Sequence, residues 1–361
     1  MNELAEVLKL RFKLLRLVRE FFWSKNFIEV ETPAIVPSPG MEPNLNPFEV
    51  SVFDENGRKF KAGLITSPEY AMKKLLAIGF KNIFQICKCF RNNEPFGGLH
   101  NPEFTMIEWY RVNKDYKALM RDVENLFLFL LNKSHNQIFN FQFSIFNKKQ
   151  KSETQNPNPG NQQTTTLDYQ GRAIDVSLPW ERMSVCEAFR KYAKINLEKN
   201  LDKESLEKQA KKKGYIISKS DSFSDIFFKI FLTEIEPKLG QNKPTFIYDY
   251  PAQMAALSRL KKSDSRFAER FELYIAGIEI ANAFSELTDA AEQLQRLKKE
   301  AKERRAAGKR VFPIDKEFIT AVEKMPECAG IALGLDRLFM ILLDIKDIND
   351  IIPFPASNIF K

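Results

Sequence analysis

The stretch FRNNEPFGGLHNPEFTMIEWYR, residues 90–111, mixes charges of both signs with aromatic residues, two prolines and a Gly-Gly pair. The segments KNIFQICKCFR (81–91) and TMIEWYRV (105–112) alternate apolar and polar residues, which is typical of half-buried strands. They predict an antiparallel pair of strands joined by the long loop 92–104. Such a loop carries its charges next to a sheet, where a ligand can use them.

The composition indicates a protein with a large core and anionic partners. The chain has 361 residues, of which 44% are hydrophobic, and a formal net charge of +8. A basic surplus favours nucleic acid, nucleotide phosphates or an acidic protein as partner. Four cysteines are too few for a disulfide framework at this length, which indicates a reducing compartment. The longest apolar run, LFLFLL (126–131), is far too short for a membrane span, so we predict a cytoplasmic protein without membrane attachment.

Hydrophobic periodicity predicts mixed helices and strands. Helical spacing covers 4–22 and 67–80, and helical patterns resume at 184–235. Residues 266–284 predict two strands around Ala276-Gly277, and 328–343 predict a strand that leads into a helix. Strict βαβ alternation is absent from this pattern, which favours an α+β fold with an antiparallel sheet flanked by helices.

One segment predicts no packed structure. Residues 147–171 are rich in Asn, Gln, Thr and Pro and contain almost no apolar residues. Such a segment cannot bury a core. We therefore predict a flexible polar insert there and not a separate domain.

The segment 266–284 also offers two carboxylates. If Ala276-Gly277 is a two-residue turn, Tyr274 faces Glu279 and Glu272 shares its face, at roughly 7–8 Å between backbone positions. Two such carboxylates can share a Mg²⁺ ion, although Glu272 paired to an arginine on a solvated sheet face is the alternative.

Strict pleating raises a difficulty for this hairpin. Asn282, Phe284 and Glu286 have the opposite parity to Glu279 and would point to the other face. For all of them to line one pocket, the strand must bulge or twist near Ala281.

The chain resembles class II lysyl-tRNA synthetases in several ordered segments. Residues 90–111 resemble motif 2 of these enzymes, and GIALGLDR (330–337) resembles motif 3. The first helix with NFIEVETPAIVP (26–37) resembles motif 1. TSPEYAMKKLL (66–76) and ERFELYIAGIEIANAFSELTDA (269–290) resemble the lysine-pocket segments. The resemblance covers nearly the whole chain apart from the polar insert.

Two features make the chain more similar to the elongation factor P (R)-β-lysine ligase family. Motif 1 begins almost at residue 4, which leaves no room for an anticodon-binding OB domain. Ser67 and Ala332 stand where synthetases usually carry Ala and Gly, and the Ala332 methyl would trim the pocket near the substrate's amine end. The resemblance implies one catalytic domain over 1–361, activation of (R)-β-lysine with ATP, and transfer to a lysine of elongation factor P. It also implies a homodimer built on residues 4–36.

The resemblance further implies which residues form the site. The implied ATP-binding residues are Arg91, Asn92, Asn93, Asn101, Phe104, Glu279, Ile280, Gly334 and Arg337. Arg91 and Arg337 would be the catalytic arginines, on the α-phosphate and the γ-phosphate side. The implied amino-acid pocket consists of Ser67, Pro68, Glu69, Tyr110, Asn282, Glu286 and Ala332. Glu272 and Glu279 would hold Mg²⁺, and carboxylates suit a substrate with two ammonium groups.

Three alternatives stay open at this point. Motif 2 usually runs Arg-Asn-Glu, but here Asn93 and Glu94 both follow Asn92, so either can be the adenine contact. A truncated lysyl-tRNA synthetase-like ligase would charge tRNA or another acceptor with α-lysine. A catalytically inactive paralogue would act as a binding module, and loss of motif arginines or metal carboxylates would mark it. Transfer assays with both lysine isomers separate these functions.

Overall fold

A computed structural model describes the backbone of residues 3–149 and 165–361, and the side chains of 4–133 and 165–361. Its strands are β1 Ile28–Glu29, β2 Ile35–Val36, β3 Glu49–Phe53, β4 Lys59–Leu64, β5 Asn82–Phe90, β6 Glu103–Val112, β7 Thr166–Tyr169, β8 Arg172–Asp175, β9 Glu181–Ser184, β10 Thr245–Pro251, β11 Leu260–Lys261, β12 Asp264–Ile275, β13 Ile278–Ser285 and β14 Cys328–Gly334. Its α-helices are α1 Glu3–Ser24, α2 Glu69–Ala77, α3 Tyr116–Lys149, α4 Val185–Ala188, α5 Lys203–Lys212, α6 Phe223–Ile230, α7 Ala290–Ala306, α8 Lys316–Lys324, α9 Leu335–Leu343 and α10 Ala356–Ile359.

A nine-stranded sheet organises the molecule. Its order is β1-β5-β6-β14-β13-β12-β10-β9, and β11 pairs with β12 at the side. β1 pairs with β5 and β9 with β10 in parallel, whereas the central pairs are antiparallel. The predicted α+β fold with an antiparallel sheet flanked by helices is therefore confirmed, as is the predicted pairing of the strands around loop 92–104.

One face of the sheet packs against α1, α3 and α9. Phe22 of α1 stacks on Phe84 of β5 with ring centroids 4.9 Å apart, and it contacts Trp109 of β6 at 5.0 Å. Ile107 and Trp109 point into this core, so the alternating residues Glu108 and Tyr110 point to the opposite face. That opposite face carries the candidate site.

A second apolar cluster packs the helices of residues 185–235 against β10 and β12. Phe189, Phe227 and Phe231 are fully buried there and contact one another. The aromatic faces of these helices explain their helical pattern in the sequence. The cluster lies on the same face of β12 as Glu272, because it includes Tyr274, whose hydroxyl donates to that carboxylate.

The described ends of the predicted insert 147–171 are ordered. Helix α3 extends to Lys149, and β7 pairs with β8 through the turn Gln170-Gly171, where φ is 49° and 75°. Leu167 and Tyr169 are buried in the main core, so the insert prediction is too wide at both ends. The alternation of these two apolar residues before a turn was the missed signal. Residues 150–164, the rest of the predicted insert, lie outside the described residues.

None of the helices within the described ranges is long and apolar enough to cross a membrane.

Candidate active site

The β12–β13 hairpin has the predicted turn and the predicted irregularity. Ala276 and Gly277 form the turn with φ of 53° and 78°, and Tyr274 pairs with Glu279. The register then shifts, so that Leu273 pairs with Ala281 and Ile280 is the extra residue of a bulge. The bulge changes the parity of the strand beyond it.

The bulge therefore brings both halves of β13 to one pocket. Glu272 lies directly opposite Asn282, and Arg270 lies opposite Phe284. Because Tyr274 and Glu272 share a face, Glu279 and Asn282 share it as well. The prediction that a bulge near Ala281 reconciles these residues is confirmed.

Glu272 is a buried carboxylate with several donors around it. Tyr250 and Tyr274 each donate a hydroxyl hydrogen bond of 2.6 Å to Oε2. Arg270 donates to Oε1 at 2.7 Å, and the side-chain amide of Asn282 donates to the same oxygen at 3.4 Å. Burial and the Glu272 charge raise the pKa of both tyrosines, so these hydroxyls remain donors. Glu272 is thus held in a fixed position by its donors.

Glu279 is more accessible than Glu272. Its side chain is 38% exposed, and its Oε2 lies 3.7 Å from Nη1 of Arg337. Partial burial raises the pKa of Glu279, and the Glu272 carboxylate raises it further, whereas the charge of Arg337 opposes the shift. A third carboxylate, Glu236, has its pKa raised to about 7 by burial and then by Glu279 and Glu272. Sequence reasoning missed Glu236. Within the described side chains, no cluster of three or more His, Cys, Asp or Glu residues could hold a metal.

Arg337 connects the hairpin to the loop after β5. It donates from Nη1 to the backbone carbonyl of Glu279 at 3.0 Å and from Nε to that of Leu99 at 3.2 Å. Its Nη2 lies 3.2 Å from Nε2 of His100, a histidine to which no role was assigned from the sequence. Gly334, at the start of α9, lies beside the Ile280 carbonyl, since an added Cβ would be 3.9 Å from that oxygen.

Arg91 and Phe104 lie together where β5 and β6 meet the loop. The Arg91 guanidinium is 5.1 Å from the centre of the Phe104 ring. Its Nε is buried and has no hydrogen-bond partner in the described structure. A buried donor without an acceptor is costly, which fits a site that receives an anionic ligand.

The loop residues differ in how close they come to this site. Asn92 and Asn93 are exposed, and Asn92 accepts a hydrogen bond from the Asn93 backbone through its own side chain. Glu94 is half-buried, with its carboxylate 3.8 Å from Nε2 of His100. Of the two candidates for the predicted adenine contact, Glu94 is the one linked through His100 to Arg337. Asn101 donates to the Glu103 carbonyl and accepts from the Ala356 amide, so its predicted contact with ATP would compete with these bonds.

The residues of the predicted amino-acid pocket surround a carboxylate that sequence reasoning missed. Glu108 is buried and accepts from Ser67 Oγ at 2.7 Å and from the Tyr110 hydroxyl at 2.6 Å. Ser67 Oγ also accepts from the backbone amide of Glu69, and Pro68 begins α2 between them. The signal was available, because Glu108 has the parity of Tyr110 and stands between the apolar residues Ile107 and Trp109.

A buried lysine also went unnoticed in the sequence. Lys73 of α2 lies 2.5 Å from Oε1 of Glu69 and 2.5 Å from Oε2 of Glu286. Its ammonium group also lies 5.4 Å from the centre of the Phe284 ring and 5.9 Å from that of Phe318. In the sequence, Lys73 precedes Lys74 and looks like a solvated helix charge.

Residues of strand β14 also line this pocket. Ala332 pairs with Glu108 on one side and with Asn282 on the other, so its methyl lies on the same face as both. At Gly330 an added Cβ would lie 2.3 Å from Tyr110 Cε1 and 2.4 Å from Glu286 Oε1. The absence of a side chain at Gly330 is therefore what lets Tyr110 and Glu286 approach each other.

Burial dominates the electrostatics of the pocket. Burial, reinforced by the charge of Glu69, raises the pKa of Glu108 to about 8. Burial also raises the pKa of Glu286 to about 8, although the Lys73 ammonium opposes the shift. These carboxylates are costly to ionise in the ligand-free pocket, so a cationic ligand stabilises their ionised form most strongly.

The structure thus brings most of the predicted site residues to one face of the sheet, in two adjoining groups. The arginine-bearing group consists of Arg91, Phe104, Glu279, Ile280, Gly334 and Arg337. Ser67, Pro68, Glu69, Tyr110, Asn282, Glu286 and Ala332 adjoin the carboxylate side. Asn92 and Asn93 stand apart in the exposed loop, and Asn101 is bound to backbone.

Comparison with known proteins agrees with this architecture. The family model of tRNA synthetases class II (D, K and N) matches residues 1–358. A protein of Mannheimia succiniciproducens is 35% identical over 96% of this chain and 94% of its own length. One from Proteus mirabilis is 36% identical over 98% of this chain and 95% of its own. One from Buchnera aphidicola subsp. Schizaphis graminum is 36% identical over 95% and 94%.

Each of these three relatives is named elongation factor P--(R)-beta-lysine ligase. Together, the family model and the relatives cover both the arginine-bearing and the carboxylate-bearing halves of the site. The chain belongs to the family of class II tRNA synthetases of the D, K and N type.

Proposed function

We propose that this protein is an ATP-dependent ligase that activates (R)-β-lysine and transfers it to a lysine side chain of elongation factor P. The observation that carries the proposal is the carboxylate group Glu69, Glu108 and Glu286, on the face of the sheet where Phe104 packs against Arg91. Arg337 contacts Glu279 on the adjoining hairpin. A ligand that satisfies both parts has ammonium groups at one end and reacts with a phosphate at the other. The names of the relatives supply the acceptor.

The reaction has two steps. In the first, a carboxylate oxygen of the amino acid bonds to the α-phosphorus of ATP, and the bond from that phosphorus to the bridging oxygen breaks. Pyrophosphate leaves with that electron pair. In the second, the acceptor amine attacks the acyl carbon, loses a proton, and releases AMP.

The residues contribute by position and charge. Arg91, whose Nε has no partner in the described structure, is placed to hold the α-phosphate as negative charge develops. Phe104, in contact with Arg91, offers an aromatic face to the adenine. Arg337 is placed on the γ-phosphate side, with His100 and the Glu279 carbonyl fixing its guanidinium. A side-chain nucleophile is not required for either step.

These residues can bind Mg²⁺ through one carboxylate more readily than through two. Mg²⁺ typically takes one or two carboxylates together with substrate phosphates, and it neutralises their charge when bound. Glu279 has the exposure to meet such an ion, whereas Glu272 already accepts hydrogen bonds from Tyr250, Tyr274 and Arg270. We infer that Glu279 is the carboxylate offered to Mg²⁺ and that Glu272 is the anion behind it.

Assembly and location belong to the same proposal. Large apolar side chains of α1 and the following segment are exposed, namely Phe12, Trp23, Ile28 and Ile35. Exposed apolar side chains of this kind support the homodimer that the resemblance implies for residues 4–36. A cytoplasmic location fits a substrate that belongs to translation. We further propose that residues 1–361 act as one catalytic domain.

ATP–pyrophosphate exchange with purified protein tests the activation step. We expect exchange with (R)-β-lysine above that with α-lysine, and loss of exchange in Arg91→Ala. Transfer of labelled (R)-β-lysine to purified elongation factor P, and not to tRNA, tests the second step. Exchange with α-lysine followed by tRNA charging would instead show the synthetase-like alternative, and failure to exchange with any lysine isomer would show an inactive paralogue.

A further inference from the structure

Lys73 is buried inside the pocket that we propose receives a cationic substrate. Its side chain is 1% exposed, and its Nζ lies 2.5 Å from a carboxylate oxygen of Glu69 and 2.5 Å from one of Glu286. Glu69 precedes Lys73 by one helical turn of α2, whereas Glu286 follows β13. The ammonium group therefore connects two separate elements of the site.

A cation in this place needs a physical reason. Burying a lysine is costly unless it is paired, and an ammonium group near the pocket also opposes a cationic ligand. The two carboxylates satisfy the first requirement, and the rings of Phe284 and Phe318 add cation–π contacts. The repulsion of a cationic ligand is offset only if Lys73 improves the binding of that ligand in another way.

The charges of the pocket provide that reason. Glu69, Glu108 and Glu286 supply three carboxylates, and Lys73 supplies one ammonium group. When all four are ionised, two negative charges remain in excess. A diamino acid with two ammonium groups neutralises this excess, whereas an amino acid with one does not.

We propose that Lys73 is a positioning and specificity-determining residue, which bridges Glu69 and Glu286 and so holds both carboxylates towards a ligand with two ammonium groups. The inference rests on the proposed function, because that function supplies the class of ligand. Without Lys73, Glu286 would hold its proton more tightly. A doubly charged ligand would then have to displace that proton at greater cost, and it would bind more weakly.

Several titratable groups surround Lys73 and enter its pH dependence. Glu69 faces it from its own helix, and Glu286 faces it from the end of β13. Glu108 and Tyr110 of β6 and Cys328 of β14 are the charged or titratable groups on the other packed strands. Burial raises the pKa of Tyr110 and of Cys328 above the range of the experiment, so Glu108 and Glu286 dominate between pH 6 and 9.

The test compares Lys73→Met and Lys73→Arg with Lys74→Met as the matched control. Lys74 is the next residue of α2, but its side chain is 31% exposed and pairs with Asp315 and Glu317 at the surface. In exchange assays at pH 7, Lys73→Met should raise the KM for the diamino acid at least about tenfold, the loss of one charged hydrogen bond. The KM for ATP should stay within about twofold in every variant.

Two further measurements distinguish a positioning role of Lys73 from a packing role. Lys73→Arg should restore most of the affinity, since a guanidinium can bridge two carboxylates. The KM of Lys73→Met should fall towards the wild-type value as the pH rises towards 9, because the carboxylates then ionise without their counter-ion. Lys74→Met should match the wild type throughout.

The opposite results would overturn the proposal. Tighter binding by Lys73→Met at pH 7 would show that Lys73 merely occupies the place of a substrate amine. A KM that is raised equally at every pH would show that Lys73 only packs the pocket.

If the wild type catalyses no exchange with any diamino acid, the proposed function fails, and stability then tests Lys73. The destabilisation of Lys73→Met relative to the wild type should grow between pH 6 and 9, as the carboxylates ionise without their partner. A destabilisation independent of pH would overturn the proposal.

Discussion

Arg11 of α1 and Asp336 of α9 form a buried ion pair, with Nη1 2.5 Å from Oδ1. Arg11 also donates to Thr105 Oγ1 at 2.9 Å, and the Thr105 amide donates to the second Asp336 oxygen at 2.7 Å. One network therefore joins the first helix, strand β6 and the start of α9. Because Asp336 precedes Arg337, the same network fixes the backbone that carries Arg337.

Replacing Arg11 should be far more costly than replacing a surface arginine of the same helix. Arg11→Met leaves the Asp336 charge buried without its partner, and we expect the free energy of unfolding to fall by about 3–5 kcal/mol. Arg16→Met removes an exposed pair with Glu20 and should change it by less than about 1 kcal/mol. Urea denaturation measures both. Equal effects of the two substitutions would contradict a structural role for the Arg11–Asp336 pair.

Gly330→Ala should damage the amino-acid pocket more than the ATP site. The added methyl would lie 2.3 Å from Tyr110 and 2.4 Å from Glu286, so both side chains must move. We expect the KM for the amino acid to rise at least about tenfold and stability to fall by about 1–3 kcal/mol. Gly57→Ala strains a left-handed turn residue with open space around it, and it controls for lost stability alone. An unchanged KM in Gly330→Ala would exclude Tyr110 and Glu286 from the pocket.

The raised pKa values of Glu108 and Glu286 predict how stability varies with pH. Both lie at about 8 in the folded, ligand-free protein, above the ordinary value of 4.5. The folded state therefore binds more protons than the unfolded state between these values, and its stability falls as the pH rises from about 5 to above 8. A cationic ligand favours the ionised carboxylates, so affinity for the diamino acid should rise over the same range.

Glu108→Gln provides the check on this pH dependence. The neutral amide keeps the shape of the side chain but no longer titrates, so the slope of unfolding free energy against pH should be shallower than in the wild type. Thermal and urea denaturation between pH 5.5 and 8.5 measure that slope. If Glu108→Gln and the wild type have the same slope, Glu108 is not the group that titrates.

The hairpin shows how much of the site local rules can predict. Two-residue turns and strand parity were enough to pair Tyr274 with Glu279 and to require a bulge near Ala281. Lys73 could not be found in this way, since its partner Glu286 is brought near only by the packing of α2 against the sheet. Asn101 shows the reverse case, because its bond to the Ala356 amide depends on where the C-terminal segment folds.

A magnesium titration should distinguish the roles of the two hairpin carboxylates, Glu272 and Glu279. Glu279→Gln should raise the Mg²⁺ concentration needed for half-maximal exchange about tenfold, because the exposed carboxylate loses its charge. The free energy of unfolding of Glu279→Gln should change little from that of the wild type. Glu272→Gln should leave that Mg²⁺ concentration closer to the wild-type value but lower the free energy of unfolding by about 1–3 kcal/mol. The reason is that Tyr250, Tyr274 and Arg270 lose a charged acceptor in a buried place. A shift in the Mg²⁺ requirement confined to Glu272→Gln would reverse the assignment and make Glu272 the carboxylate that meets the ion.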